Sequence, residues 1–465
     1  MATELSPALR AGAASVDITP RWGVHLAGDI ARHRPAQQVW DPLHARALAL
    51  ELGASRACLL CLDATIITGQ YTGWIREQCA SRFGLEPDAL MVHATQTHSA
   101  PTLGHIMLDP DFPELPPELE WVRGSEDAHS RWAASRCVEA VGQALEGLRP
   151  VSVGSISAID GRWAHNRRAV KADGTVGMPG PTWEAPLGPT WIKYIEGPID
   201  PEVAVLSFRD DALGFVSVVA NYACHPVHVF PRPFVSADWP GALADGIESG
   251  CGPACTALVV NGACGNINPW PPFDPEYVED HRRMGAGLAQ TTRTALEHSR
   301  FEPVATLAAH VTRLPIPLRE LTPKEKAHCE DVLSRHPAPQ VVGDDPVSVD
   351  PKWMVAASQW SVELARARSP FLDYEIQVLR IGEDAIVGLP GEPFVELGLA
   401  IKLASPARRT LIAHCTSQYV GYIPSAEALK RGGHEASTRY WAKLVPEAFE
   451  MIRDAARETL QAVFR

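Results

Sequence analysis

The sequence lacks long hydrophobic runs, blocks of like charge and an excess of basic residues. No stretch of its 465 residues approaches the roughly 18 consecutive apolar residues that a membrane-spanning helix needs, so we expect no transmembrane segment. The 42 Lys and Arg residues stand against 55 Asp and Glu residues, which gives a formal net charge of −13. Such a chain on average repels a polyanion, and a nucleic-acid partner is therefore not expected.

An export signal and a disulfide framework are also missing from the pattern. The first residues, MATELSPALRAG, have neither the cationic stretch nor the apolar core of a secretory signal, so we expect a cytoplasmic protein whose ten cysteines stay reduced. Cys58 and Cys61 have CxxC spacing, but they lie in RACLLCLDATII, a run typical of a buried strand. Cys251 and Cys255 lie in CGPAC, which is one residue too long for the thioredoxin-type motif and has no second CxxC to complete a zinc site. We interpret both pairs as structural.

The regular elements alternate as strand, loop and helix. The 40 prolines concentrate between the periodic segments, which favours long, stiff loops. The spacing of apolar and polar residues predicts strands at 44–52, 56–67, 151–159, 203–209, 214–222, 304–316, 372–380 and 384–389. It predicts helices at 71–82, 126–148 and 275–299, a helix that starts near Pro393, and a helix at the end of the chain. This alternation predicts an α/β fold with a mixed β-sheet core, flanking helices and long irregular loops.

The domain organisation follows from the same pattern. We expect a single domain over residues 1–465, with 322–369 as a candidate helical subdomain or lid because two helical patterns there are broken by HPAPQVVGDDPVSVDP. The segment 161–200 is rich in Gly, Pro and Trp and is too long to be only a connector. Both segments are candidates for closing over a site.

Polar side chains follow several predicted strands directly, at the positions where α/β proteins gather functional groups. The loop ATQTHSAP places Gln96 and His98 on alternate residues just past a strand. The loop NYACHPVHVF contributes His225, with His228 three residues further on. These loops predict a site built from separate segments of the chain.

Three more loops contribute oxygen and nitrogen donors. VVNGACGNINP offers Asn266 and Asn268, GLPGEPF delivers Glu392 at the expected start of a helix, and YVGYIP offers Tyr419 and Tyr422. Imidazole and carboxylate groups are the ligands that zinc prefers, with one position left open for water. No compact metal motif such as HExxH is present, and each histidine alone is more often structural, as Glu392 alone is more often a charge at a helix N-terminus. The prediction of a metal site therefore depends on the whole set.

Taken in order, the loops resemble the neutral/alkaline non-lysosomal ceramidase family, in particular its shorter bacterial members. The matching segments are AGAASVDITPRWGVHLAG, DPLHARALALELG, LLCLDA, the loop Thr95 to Pro101 against the family's THTHSGP, HNRR at 165–168, NYACHP with SADWPG, NGACGNINP, GLPGEPFVELGLAIK and YVGYIPSAEALKRGGHE. They cover nearly the whole chain. The resemblance implies the fold of the ceramidase catalytic domain without the C-terminal immunoglobulin-like domain of full ceramidases, because the chain stops soon after its last helix.

The resemblance also implies a single zinc ion, or another divalent metal. By position, His225, Glu392 and Tyr422 resemble metal ligands of the family. His98 is similar to the second histidine of the family's loop, which lies beside the metal and can polarise the substrate carbonyl. Arg167 is similar in position to an arginine that contacts the substrate.

Three positions depart from the family pattern. Gln96 stands where the family has a histidine ligand, so the resemblance makes Gln96 or a neighbouring histidine such as His93 the fourth ligand. Asn268 replaces the serine proposed as a nucleophile in ceramidases, so a covalent serine mechanism is not expected and Asn268 is assigned to substrate binding. His434 falls where the family usually has a tyrosine and is likewise assigned to substrate binding.

Three functions compete. The leading hypothesis is a metal-dependent hydrolase that cleaves an amide, ester or lactone bond of a small-molecule substrate with metal-activated water, His98 assisting as acid or oxyanion stabiliser. The alternative is a degenerate ceramidase-like protein that binds a small molecule or partner without turnover, because both Gln96 and Asn268 have changed. Phosphoester cleavage on the same metal ranks last, because the net acidity and the absence of a second metal cluster fit it poorly. The oligomeric state stays open.

Overall fold

Three β-sheets form the centre of the molecule, and helices cover their outer faces. The computed structural model describes residues 8–180, 191–212, 214–274, 276–344 and 347–465. The expectation that the chain has no export signal rests largely on residues 1–7, which lie outside the described residues. None of the helices in the described segments combines the length and the apolar character needed to cross a bilayer.

Each large sheet is mostly antiparallel but contains one parallel pair of strands. In spatial order, the first sheet consists of Leu90–Ala94, Ser55–Leu62, His44–Leu52, Arg10–Asp17 and Arg149–Pro150. The second sheet consists of Thr256–Asn261, Gly214–Tyr222, Glu202–Asp210, Ser152–Ile159 and Phe301–Glu302. The third sheet consists of Leu307–Pro317, Phe371–Ile381, Asp384–Gly388 and Arg409–Ala413. The parallel pairs are the first two strands of the first sheet, the first two of the second and the last two of the third.

The inner faces of the three sheets share one apolar core. Its buried residues include Leu50, Leu59, Leu206, Val219, Leu258, Ile386 and Leu411. Burial of this surface is the main favourable contribution to folding. Successive side chains of a strand point to opposite faces, so the strands also carry apolar side chains on their outer faces, and the helices cover these.

Two helices pack on the outer face of each sheet. Gly69–Phe83 and Asp127–Glu146 cover the first sheet, Asp238–Cys251 and His281–Glu297 the second, and Val395–Ala404 and Ala448–Val463 the third. The helix predicted from residue 275 begins only at His281, because the Asp280 side chain caps it by accepting from the backbone N–H groups of Arg282 and Arg283. The predicted α/β class, with mixed sheets and flanking helices, is confirmed.

The segment 322–369 contains the two predicted helices, Pro323–Arg335 and Pro351–Arg368. Trp353 of the second helix is 1% exposed and packs in the same cluster as the helices of the first sheet. Its indole nitrogen donates to the carbonyl oxygen of His336 at 2.8 Å. Residues 345–346 lie outside the described residues, and a subdomain or lid role for the segment stays a prediction.

Short elements complete the fold. Residues 161–200 contain a small sheet of Val176–Gly177, Ala169–Val170 and Tyr194–Ile195, while 181–190 lie outside the described residues. Two-residue strands pair as Phe234–Val235 with Gln38–Val39, Ile267–Asn268 with His165–Asn166, Val341–Val342 with Ser348–Val349, and Glu392–Pro393 with Tyr422–Ile423. In the segments that the structure describes, the remaining helices are Ala426–Arg431 and the 3-10 turns Pro87–Ala89 and Pro117–Arg123.

The ten cysteines are all free thiols. Cys58 and Cys61 are buried in the strand Ser55–Leu62, as predicted. Cys251 ends the helix Asp238–Cys251, and Cys255 directly precedes the next strand.

Candidate active site

The loops that leave the three parallel strand pairs converge on one cluster of polar side chains. Carboxyl ends of parallel strands lie at one edge of a sheet, where α/β proteins commonly place ligands. The cluster and the small cavity beside it contain the residues that the sequence predicts, namely Gln96, His98, Arg167, His225, Asn268, Glu392, Tyr422 and His434.

His225 and Glu392 are in direct contact at the centre of this cluster. Nδ1 of His225 donates to the carbonyl oxygens of Cys264 and Ile267, at 2.6 and 3.1 Å. Its Nε2 lies 3.2 Å from Oε2 of Glu392, and both side chains are almost completely buried. Because Nδ1 carries the hydrogen, Nε2 meets the carboxylate with a lone pair unless it is also protonated.

Glu392 reaches the site from a short strand and not from a helix. Glu392 and Pro393 pair in parallel with Tyr422 and Ile423, so that Glu392 lies directly opposite Tyr422. The helix begins only at Val395. The expected position of Glu392 at a helix start is therefore wrong, and the strand pairing is what brings the carboxylate and the phenol to the same place.

The Glu392 carboxylate is surrounded by hydrogen-bond donors. Its Oε1 accepts from the Tyr419 hydroxyl at 2.9 Å, and the Gln96 carboxamide also donates to it. Oε1 of Gln96 accepts from the Cys264 thiol at 3.8 Å. Gln96 has φ +68°, a left-handed backbone conformation that is uncommon outside glycine. In this arrangement Gln96 supports Glu392 through its nitrogen and directs its oxygen to a thiol.

His98 is fixed by the loop that contains Gly28. Its Nδ1 donates to the Gly28 carbonyl oxygen at 3.1 Å, which leaves Nε2 with the lone pair. Gly28 has φ +90°, and a Cβ atom there would lie 2.7 Å from Cγ of His98. The ring centroids of His98 and His225 are 5.5 Å apart. Only glycine at position 28 lets the loop approach the ring so closely.

Arg34 ties the Gly28 loop to the His98 loop. It is 2% exposed, and its guanidinium donates to the carbonyl oxygens of Ala27 and of His98, the latter at 2.7 Å. The guanidinium also stacks over the Phe230 ring, with 4.9 Å between the guanidinium carbon and the ring centroid. The sequence analysis missed Arg34, since a single arginine in a loop carries no pattern.

Arg167 positions other site residues and is not among those that line the cavity. Its guanidinium donates to the Tyr422 hydroxyl at 3.2 Å, to Oδ1 of Asn268 at 3.2 Å and to Oε1 of Glu435 at 2.9 Å. Asn268 is brought there because its short strand pairs with the strand that begins at His165. Direct substrate contact by Arg167, which the resemblance implies, and substrate binding by Asn268 both stay predictions.

Glu435 joins two neighbouring arginines. Its second oxygen accepts from Arg168 at 2.8 Å, and Arg168 also pairs with Glu196. Glu435 and Arg168 are each 1% exposed. Buried charges of this kind persist only when they are paired. Nothing in the sequence of HNRR or of GGHE indicates that the two segments form one ion-pair network.

A small cavity of about 70 Å³ adjoins the cluster. Its polar wall contains Thr65, Gln96, His98, Glu392, Tyr419 and Tyr422. His434 also lines the cavity, and its side chain is exposed to solvent. Its apolar wall contains Ile30, Ile66, Ile106, Met107 and Trp441, and the Gly28 backbone closes one side. The His434 ring packs edge-on against Tyr422, with the ring centroids 5.4 Å apart. The sequence analysis missed the apolar wall, because its residues belong to ordinary hydrophobic segments.

Three other candidates from the sequence have structural partners instead. His93 donates from Nδ1 to a backbone carbonyl at 2.6 Å and accepts at Nε2 from a backbone N–H at 3.0 Å, so its ring has no lone pair free for a metal. His228 bonds to Asp238 and Tyr277, at 3.2 and 2.8 Å. Asn266 accepts at 2.9 Å from the backbone N–H of Val395, the first residue of the helix Val395–Ala404.

Burial and neighbouring charges set the protonation states of the cluster. Burial raises the pKa of Glu392, but the hydrogen bond and charge of His225 and the charge of Arg167 lower it further, to about 2. Burial and then Arg167 lower the pKa of His225. Burial and then His225 lower the pKa of His98 to about 3. The carboxylate is therefore anionic and both imidazoles are neutral at neutral pH.

The donor set for a metal is incomplete by ordinary standards. Within the described part of the chain, no three His, Cys, Asp or Glu side chains come together closely enough to hold a metal ion. The donors that meet at the site are the His225 imidazole, the Glu392 carboxylate and the neutral oxygen of Tyr422, while the Gln96 oxygen faces the Cys264 thiol. Nitrogen and oxygen donors are the atom types that bind a divalent cation, but only two of these donors, the His225 imidazole and the Glu392 carboxylate, are strong ligands.

The chain has the fold of solved ceramidase structures. Neutral ceramidase from Pseudomonas aeruginosa matches it with a TM-score of 0.70 and 18% identity, over 98% of this chain and 74% of that chain. A ceramidase complexed with C2 matches with a TM-score of 0.69 and 16% identity, over 98% of this chain and 75% of that chain. No family model and no curated protein matches the sequence. The resemblance inferred from the loop motifs is thus confirmed at the level of the fold.

Proposed function

We propose that this protein hydrolyses an amide bond, or a related ester or lactone bond, of a small-molecule substrate with the help of a bound divalent metal ion, zinc or another. The ceramidase-like fold and the convergence of the predicted loops support an acyl-transferring hydrolase. His225, Glu392 and Tyr422 are the ligands in this proposal. Gln96 becomes a fourth ligand if its carboxamide turns over to exchange nitrogen and oxygen.

The contact between His225 and Glu392 supports the metal most directly. A lone pair on Nε2 and a carboxylate oxygen at 3.2 Å repel each other unless a proton or a cation lies between them. Burial and Arg167 lower the pKa of His225 more than Glu392 and the Cys264 carbonyl raise it, which disfavours the proton. A histidine that donates from Nδ1 to a backbone carbonyl and directs Nε2 at the ion is the usual arrangement of a metal ligand.

His98 is placed to move the proton in the reaction. A divalent ion, when bound, polarises a carbonyl oxygen and acidifies water to a pKa of about 7. Nε2 of His98 has the lone pair but a pKa of about 3, so it takes the proton of water only as the water oxygen bonds to the acyl carbon, when that proton becomes strongly acidic. When the carbon–nitrogen bond breaks, the same Nε2 returns the proton to the leaving nitrogen, which gives a carboxylic acid and an amine. The acid role expected from the sequence belongs to this second step.

Arg167 and its partners hold the cluster in place. The guanidinium bonds to the Tyr422 hydroxyl, and its ion pair with Glu435 fixes its orientation. Burial raises the pKa of Tyr422 well above its usual value, and the nearby Glu392 charge raises it further, so the phenol is neutral before an ion binds. In the proposal Arg167 is therefore a positioning residue.

A second function is favoured by Gln96. Gln96 occupies a position at which the resembled family has a histidine ligand. Its amide donates a hydrogen bond to Glu392, whereas a histidine at this position would bind the ion. A site that keeps the cavity but not the ion would bind a small acyl compound without turnover. Protein that lacks metal and activity, but whose Tm rises with acyl amides, would favour this second function.

A carboxylate substitution tests the proposed hydrolase. In Glu392→Gln, kcat/KM for an N-acetyl arylamide is expected to fall by about 100-fold or more, because the variant loses the only anionic ligand. Glu396→Gln is the matched control, since Glu396 lies four residues further along the chain, does not line the cavity and accepts a hydrogen bond from Asn266 at 2.9 Å. Equal activity of Glu392→Gln and wild type would refute the proposal.

A further inference from the structure

The cavity beside the catalytic cluster is much smaller than an ordinary ligand site. Its volume of about 70 Å³ compares with roughly 300–1,000 Å³ for pockets that hold drug-sized molecules. Since a liquid water occupies about 30 Å³, the cavity has room for only two or three non-hydrogen atoms. One side of the cavity is polar and contains the catalytic cluster, and the opposite side is apolar, so the group that fits against the apolar side is short and apolar.

The wall that limits the cavity is firmly held. The backbone N–H groups of Ile106 and Met107 both donate to the Arg123 carbonyl oxygen, at 3.0 and 3.1 Å. The Arg123 guanidinium in turn donates to the carbonyl oxygens of Phe112 and Pro113, both at 3.0 Å. The wall thus cannot retreat without breaking several hydrogen bonds and leaving buried polar groups unsatisfied.

Gly124 packs against the back of the same wall. It has φ +94°, and a Cβ atom there would lie 2.9 Å from Cγ1 of Ile106 and 3.1 Å from Cγ of Met107. Ile106 and Met107 are 3% and 6% exposed, so they are supported from behind and directed to the cavity in front. The small volume is therefore a property of the packed fold at this place.

From this geometry we infer that the protein selects substrates with a short N-acyl group, of about the size of acetyl, and that Met107 and Ile106 set this limit. The inference rests on the proposed function. The acyl group enters the cavity because the wall formed by Ile30, Ile106, Met107 and Trp441 is apolar. The amine, which gains a proton as it leaves, is directed to the side where His434 is exposed.

A chain-length series tests the inference on the wild-type protein. N-acetyl, N-butanoyl and N-octanoyl derivatives of 7-amino-4-methylcoumarin release the same fluorescent amine, so they differ only in the acyl group. We expect kcat/KM to fall by about tenfold or more from acetyl to octanoyl. The cavity has no space for the additional methylene groups, so the octanoyl substrate binds less well in the transition state. An octanoyl substrate cleaved as well as the acetyl substrate would overturn the inference.

Variants of the wall test the assigned residues. Met107→Ala is expected to raise the octanoyl-to-acetyl ratio of kcat/KM by about tenfold, and the milder Ile106→Val by about threefold. Leu108→Ala is the matched control, because Leu108 is equally buried but is not among the residues that line the cavity. Unchanged ratios in both wall variants would overturn the assignment, and the Ile106→Val result decides if Met107→Ala fails to fold.

Failure of the hydrolase proposal gives a different result from failure of the size limit. If wild type cleaves none of the three substrates, the proposed function fails, and the size limit is then read from binding. A larger rise in Tm with acetamide than with octanamide supports the limit, and the reverse order overturns it.

Discussion

His225 and Glu392 face each other at 3.2 Å across a buried site, although Nδ1 of His225 already donates to two backbone carbonyls. The histidine therefore brings an electron pair, and not a hydrogen, to an anionic carboxylate. Neutralisation of this contact by a cation is the basis of the proposed chemistry.

Gln96→His is expected to strengthen metal binding. The substitution adds an imidazole to the existing His225 and Glu392 pair, and we expect the affinity for Zn²⁺ to rise by about tenfold or more. Histidine tolerates the left-handed backbone of position 96 better than most residues. Competition with a zinc indicator measures the affinity, and Gln418→His controls for a histidine added elsewhere. Equal affinities of Gln96→His and wild type would show that position 96 does not reach the ion.

Gly28→Ala is expected to displace the His98 ring. The new Cβ atom would lie 2.7 Å from Cγ of His98, so the base loses its position and kcat falls by roughly 10- to 100-fold. Gly23→Ala is the matched control, because Gly23 lies on the same loop with φ +85° but a Cβ atom there has no neighbour within 4 Å. Both variants carry the same kind of backbone strain. A similar loss of kcat in both would assign the effect to strain and not to His98.

Glu435→Gln is expected to destabilise the protein. Glu435 neutralises both Arg167 and Arg168, and removal of one partner from a buried ion pair costs about 3–5 kcal/mol. Urea denaturation measures the free energy of unfolding. Glu427→Gln serves as the control, because Glu427 pairs with Arg431 at the surface with a side chain that is 56% exposed. A loss below about 1 kcal/mol would mean that the network contributes little.

Lys443 predicts a dependence of stability on pH. Its side chain is buried, with Nζ 3.8 Å from the centroid of the Tyr440 ring, and burial lowers its pKa to about 7 although Asp109 acts in the opposite direction. The unfolded chain has a lysine pKa of about 10.4, so between these values it binds more protons than the folded chain. This residue therefore destabilises the fold fully below about pH 7, and the effect disappears as the pH rises towards about 10.

Lys443→Met isolates this effect. The gain in unfolding free energy over wild type is expected to reach a few kcal/mol at about pH 7 and to shrink at about pH 9.5. Lys430→Met is the control, since the Lys430 side chain is 76% exposed. A gain that is the same at both pH values would argue against a neutral lysine at the higher pH.

The sequence predicts the elements and the loops well, because both depend on local patterns. The strand His44–Leu52 and the helix Asp127–Glu146 lie within one or two residues of their predicted bounds, since hydrophobic periodicity determines them. The loops with His98 and His225 converge as expected, because they follow parallel strands. Glu392 was placed in the correct loop but at the wrong element.

Contacts between distant segments could not be predicted in the same way. Glu435 meets Arg167 across 268 positions of the chain, and neither residue belongs to a periodic pattern. The close approach of Gly28 to His98 depends on a positive φ angle that any loop glycine can adopt. The two backbone bonds that exclude His93 as a ligand likewise arise only when separate strands pack.

Metal content is the most direct test of the central claim. Elemental analysis of purified and dialysed protein, together with amide hydrolysis before and after chelation, should find about one divalent ion per chain, activity that disappears with the ion, and little metal in His225→Ala. The account would be contradicted by metal-free wild-type protein that hydrolyses the amide at an unchanged rate.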